Sequence, residues 1–163
     1  MPDITPERLR ELIEYDKENG ILIVRKTGRK TFPDENGTLI VFDKKSYRFK
    51  YEKLCVALLN GKYLEPNERV LFKNMQKDDF RAINLKVVTK EEYLLVKEAY
   101  RNLTSGIRYD HHHKDKLQYV VQYYEDGTLK HQIIADLGKV KNVIRELRVK
   151  YSKIITKYCI FDE

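Results

Sequence analysis

A chain of 163 residues with 42% hydrophobic and 35% charged side chains can bury one moderate core or two small ones, and it is too apolar for a disordered tail. Its 32 Lys and Arg against 25 Asp and Glu leave a net charge of +7, a field that favours polyanions such as DNA, RNA or anionic lipid. Charges at Asp3, Glu7, Arg8, Arg10, Glu11 and Glu14 leave no signal-peptide core, no run is apolar enough to cross a bilayer, and the two cysteines, Cys55 and Cys159, stand far apart; a cytoplasmic protein with reduced core thiols and no membrane partner is expected.

Thr5-Pro6 followed by Leu9, Leu12 and Ile13 combines a capping residue, a proline suited to the first helical position and an apolar stripe, which predicts a helix over 6–15. Asn19-Gly20 ends it. The β-branched run "ILIVRK" (21–26) and the run "TLIVFD" (38–43) read as paired strands across a loop rich in Gly, Pro, Asp and Asn. "YEKLCVALLNGKY" places Leu54, Ala57 and Leu58 at helical spacing and stops at Asn60-Gly61. Residues 69–88 offer two short strands around a polar turn, and Thr89-Lys90-Glu91-Glu92 is a capping box opening a helix with Tyr93, Val96 and Tyr100 on one face.

"RNLTSG" (101–106), short, polar and ending in glycine, reads as the linker between two lobes. Beyond it "GIRYD", "LQYVVQYY" and "HQIIADL" are strand-like, with an Asp-Gly turn between the last two. A helix follows, Val140, Val143, Ile144 and Leu147 inward and Lys139, Lys141, Arg145 and Arg148 outward. Residues 101–163 carry 12 basic and 8 acidic side chains and residues 1–100 carry 20 and 17, so positive charge is denser in the smaller lobe.

The order "LRELIEYDKENGILIVRK", "YEKLCVALLNGKY", "NMQKDDFRAINLKVVTKEE", "NLTSGIRYD" resembles the phage-type HNH endonucleases that carry an AP2-like DNA-binding domain after the nuclease. The central stretch of that family runs approximately V-D-H-I-N-G-D-x-x-D-N-R-x-x-N-L-R-L-V-T. Laid on this sequence without a gap, Val70, Asn74, Asp79, Arg81, Asn84, Leu85, Val88 and Thr89 match. The resemblance touches most of residues 8–152. It implies an α+β fold with an HNH-like ββα lobe over 1–101, then a three-stranded antiparallel sheet packed on one helix, AP2-like, over 106–163.

Such an enzyme needs a divalent ion and a histidine base to activate water against a phosphodiester. By the resemblance the metal-binding Asp falls on Leu71, the general base on Phe72, the central Asn on Phe80, the last ligand on or beside Tyr93, and a histidine before the "LCVALLNG" helix on Glu52. Leucine and phenylalanine neither coordinate a metal nor accept a proton. The expectation is therefore no catalytic residues, no metal and no cofactor; Asp78, Asp79 and Glu65 read as solvated loop charges, with oxygen ligands of a displaced site as the alternative.

In AP2-like domains the sheet enters the major groove, and by that resemblance Arg108, Lys114, Lys116, Tyr119 and Lys130 are the nucleic-acid contacts. Lys and Arg displace counterions from phosphates, and Tyr offers a flat face with a hydroxyl. The alternative keeps Tyr119, Val121 and Tyr123 as the inward face of an alternating strand. Arg29 and Lys30, beside Gly28 in "KTGRKTF", are a further phosphate-binding candidate or a solvated turn. His111, His112 and His113 in "YDHHHKDK" read as a loop, a phosphate contact or a metal ligand set lacking partners.

The function expected is a non-catalytic nucleic-acid-binding protein derived from an HNH scaffold, acting by occupancy through backbone contacts on duplex DNA or structured RNA such as ribosomal RNA. A phage protein in the host cytoplasm, with a host protein complex as second partner, is what the resemblance suggests. An active nuclease with displaced ligands and a protein-binding module for an acidic host partner are the alternatives.

Overall fold

In the computed structural model, which describes residues 2–112 and 118–160, the Thr5 hydroxyl accepts the Arg8 N–H at 3.2 Å and Pro6 starts helix α1 (Pro6–Leu12). The helix stops short of the expected residue 15. Ile13 turns extended and begins β1 (Ile13–Asp16), which pairs antiparallel with β2 (Ile21–Val24). Burial of alternate residues on β1, with Ile13 inward, wins over the helical spacing of Leu9, Leu12 and Ile13.

The pairing expected between 21–26 and 38–43 is also overturned. Strand β2 carries β3 (Arg29–Thr31) on its other edge, whereas β4 (Thr38–Asp43) folds back on β5 (Lys45–Lys50) through Lys44, at φ 53°. Leu39 and Val41 of β4 and Tyr47 and Phe49 of β5 share one side of this ribbon and join the core. Helix α2 (Tyr51–Asn60) lies at the centre of that core with Leu54, Cys55, Val56, Ala57 and Leu58 buried, and Gly61 ends it in the left-handed conformation at φ 72°. Burial of Leu54, Val56 and Leu58 contributes about 1.5–3 kcal/mol each. The Arg10 guanidinium donates twice to the Leu58 carbonyl, at 2.9 and 3.1 Å, so a charge supplies what the end of α2 lacks.

Buried Tyr51 is satisfied on both sides of its hydroxyl, which accepts the Leu22 N–H at 3.0 Å and donates to the Thr31 carbonyl at 2.9 Å. Burial pushes its phenol up to about 12. Both cysteines are buried, as expected, and burial raises the Cys55 thiol well above its usual range. Strands β6 (Glu68–Phe72) and β7 (Leu85–Thr89) form the expected antiparallel pair, Phe72 opposite Leu85 and Glu68 opposite Thr89.

The chain divides into two units, one running to Lys90 and taking in Ile160, the other Glu91–Cys159. The division therefore differs from the expected 1–101 and 106–163. Helix α3 (Lys90–Arg101), read as the helix of a ββα lobe, clusters with the second unit, where Glu98 accepts the Gly127 N–H at 2.8 Å and Glu92 accepts from the Tyr158 hydroxyl at 3.0 Å. Residues 102–106, expected as a linker, form a wide helical turn closed by the Ile107 N–H on the Asn102 carbonyl.

The second unit carries the expected sheet, β8 (Arg108–His112), β9 (Gln118–Glu125) and β10 (Thr128–Ile134), antiparallel in the order β10-β9-β8. Asp126 and Gly127 both have positive φ, 52° and 73°, the geometry of a two-residue type I′ hairpin. Helix α4 (Leu137–Tyr158) covers one face: Val140 is buried against Tyr119, Val121 and Ile134, with Val143, Ile144, Leu147 and Tyr123 packed around them. The inward residues expected of this helix are the ones found.

Candidate nucleic-acid interface

The β6–β7 hairpin holds the positions where the resemblance puts metal and base. Leu71 is 1% exposed. Phe72 meets Phe80 edge-on with ring centroids 5.9 Å apart, and Phe80 lies tilted on Tyr51 at 4.6 Å. Leu71, Phe72 and Phe80 make an apolar plug with no lone pair for a cation and no proton acceptor for water, and the Tyr51 hydroxyl is taken up by Leu22 and Thr31.

The polar residues of the intervening loop are spent on the loop. Asn84 Oδ1 accepts the Asn74 N–H at 2.8 Å, its Nδ2 donates to the Asp79 carbonyl at 2.8 Å, and Asn74 Nδ2 donates to Asp79 Oδ2 at 2.8 Å. The Arg81 guanidinium grips the same carboxylate, its Nε 2.8 Å from Oδ1. Hydrogen bonds from the Arg81 side chain, then its backbone N–H and Asn74, hold Asp79 down to about 2. Asp79 is thus a structural anion here. The Glu65 backbone N–H donates to the Glu68 carboxylate at 2.9 Å. Among the described residues no group of three or more His, Cys, Asp or Glu is arranged to hold a metal ion.

The sheet of the second unit separates its candidate residues by side. Cross-strand partners share a face, so Tyr119, Val121 and Tyr123 turn towards α4, and Tyr119 is 7% exposed. Of the two readings of Tyr119, a nucleic-acid contact or the inward face of β9, its burial against α4 is that of the inward face. Lys130, opposite Tyr123, is exposed on that same side at the outer strand, whereas Arg108, opposite Gln122, leaves on the other with His131. Arg108 Nε donates to the Ser105 carbonyl at 2.9 Å.

Arg29 and Lys30 are exposed on β3, an edge strand, and not in a loop. As neighbours on a strand they point to opposite faces. Lys114, Lys116 and His113, together with the side chains of His111 and His112, lie outside the described residues.

The open face of the sheet is mixed. Arg108 and His131 are set among Asp110, Gln122 and the exposed Leu129 and Ile133. The helix is not mixed: α4 carries seven basic residues and one acidic one, Glu146. Lys141, Arg145, Arg148 and Lys153 line a groove of about 800 Å³, closed on its far side by Tyr109 of β8, which is 54% exposed. The spacing i, i+4, i+7 repeats along one side of a helix. No ion pair among the described residues takes up these four cations, whereas Lys150, outside the groove, is bound to Glu125 at 2.6 Å.

From the sequence, Lys141, Arg145 and Arg148 read only as part of an outward face. Their spacing was the available signal. No protein-family profile, curated protein or solved structure matches the chain.

Proposed function

We propose that this chain is a non-catalytic nucleic-acid-binding protein, an HNH-like scaffold whose reaction centre is filled by side chains, followed by an AP2-like lobe, that acts by occupying its target. Duplex DNA or structured RNA is bound through the sugar–phosphate backbone, in the cytoplasm of a phage host. The observation that carries this reading is the charge of α4, seven cations to one anion, with four of the cations on one groove. Phosphates are the partners such a row suits, since each neutralised phosphate releases condensed counterions.

The plug of Leu71, Phe72 and Phe80 supports attachment without cleavage, because hydrolysis of a phosphodiester requires an activated water and a stabilised leaving oxygen. Titration of labelled DNA duplex and structured RNA by fluorescence anisotropy tests the reading. Affinity that falls steeply with salt is expected for at least one of them. Absence of any salt-sensitive binding to either would remove the proposal.

A further inference from the structure

We infer that the groove between α4 and β8, and not the open face of the sheet, is the seat of the nucleic acid, and that it takes the backbone of one strand of a duplex on four cations. The inference rests on the nucleic-acid reading above and names where and how the contact is made.

Three features of the second unit lead there. The first is register along the helix. Lys141 to Lys153 spans about 18 Å at 1.5 Å per residue, which matches about five base steps at 3.4 Å per step along a strand. Arg145 and Arg148 lie between them, so positive charge is distributed along that length.

The second is the groove's form. Ile144 and Val149, the latter exposed, make an apolar floor on which a sugar can rest, and the Tyr109 side chain stands on the wall opposite the cations. A tyrosine hydroxyl there is a neutral donor to a phosphate oxygen. Arginine offers a fork to two phosphate oxygens where lysine offers a point charge, and the row contains two of each.

The third is the contrast with the other face. There Arg108 and His131 share the surface with Asp110 and with exposed Leu129 and Ile133. Among the described residues that face has no cationic row.

The site predicts a number. Four phosphate contacts give a slope of about −3.6 for log K against log salt, so affinity should fall about 150-fold between about 50 and 200 mM salt. The experiment compares labelled duplex DNA and duplex RNA of equal length, with wild type, the triple variant Lys141→Gln/Arg145→Gln/Arg148→Gln, the control Lys139→Gln/Lys157→Gln on the same helix, and Arg108→Gln on the open face. Every substituted side chain is exposed, and thermal melting checks that each variant is folded.

The expected result is a slope near −0.9 and only about a 3-fold salt effect for the triple variant, with the two other variants close to wild type. The nucleic acid showing the wild-type slope identifies the duplex as DNA or RNA. If wild type binds with a steep slope that the triple variant keeps, or that the control loses equally, the groove assignment is overturned while nucleic-acid binding stands. If wild type binds neither duplex at low salt, both fall.

Discussion

Asn102 and Tyr124 are joined in both directions: the Asn102 amide donates to the Tyr124 carbonyl at 2.7 Å and its oxygen accepts the Tyr124 N–H at 2.9 Å. One buried side chain, 2% exposed, thereby pairs the edge of β9 just where β8 has not yet begun. The Tyr151 hydroxyl adds a second donor to the same carbonyl at 2.8 Å, and the Arg101 guanidinium stacks on the Tyr124 ring at 3.4 Å. Asn102→Ala leaves a part-buried strand N–H without its acceptor, at a cost of about 1–2 kcal/mol. Urea denaturation followed by tyrosine fluorescence should show the loss. An unchanged midpoint would mean that water replaces the amide.

Gly20 sits at φ 71°, and a Cβ there would stand 2.6 Å from the Phe80 carbonyl carbon and the Arg81 nitrogen. Both the dihedral and the collision are with backbone, which cannot swing away. Gly20→Ala is expected to destabilise the first unit by about 2–4 kcal/mol, whereas Gly28→Ala, with open space around its Cβ position, meets only the dihedral penalty of about 1 kcal/mol. Thermal melting of the two variants side by side checks the difference.

Asp79 gives the fold a defined acid sensitivity. Its carboxyl titrates at about 2 when folded and near 3.8 when released, so the unfolded chain binds the proton more readily. Stability from this group is fully present above about pH 5 and is lost as pH falls through 4 towards 2. With Arg81 half-exposed, the loss is expected to be about 1–2 kcal/mol. In urea titrations across that range Asp79→Asn should be less stable than wild type at neutral pH and less dependent on pH. Parallel curves for the two proteins would contradict the assignment.

Leu71 is closed on all sides. Placing a carboxylate there by Leu71→Asp buries an unpaired charge, and a loss of about 4 kcal/mol or more is expected. Phe72→His, at a half-buried position, is expected to fold and still not nick supercoiled plasmid with Mg²⁺, Mn²⁺ or Zn²⁺, because an imidazole alone supplies no ion-binding site. Nicking by purified wild type that tracks the added cation and vanishes in Asp79→Asn would overturn the non-catalytic reading.

Much of the architecture is written in short-range pattern. The stop at Asn60-Gly61, the Asp126-Gly127 hairpin and the inward stripe of Val140, Val143, Ile144 and Leu147 are local, and the structure repeats them. What escaped was decided at a distance. Ile13 and Tyr15 continue a helical stripe and also alternate as a strand, and only β2 alongside selects the second. "KSYRFK" is polar enough to pass for a loop until Tyr47 and Phe49 are seen to face the core opposite β4. Asn102 reads as a linker residue because its partner lies 22 residues downstream. The basic row of α4 was visible as charge, but a row becomes a groove only when Tyr109 is brought to its other side.

The clasp formed by Phe72, Phe80 and Tyr51 has a consequence for the cell that makes this protein. The hairpin is shut by rings and by the amide lattice of Asn74 and Asn84, contacts made within the polypeptide. On the proposed reading, chelators and zinc starvation are expected to leave this hairpin closed, and thermal melting with and without a chelator checks it.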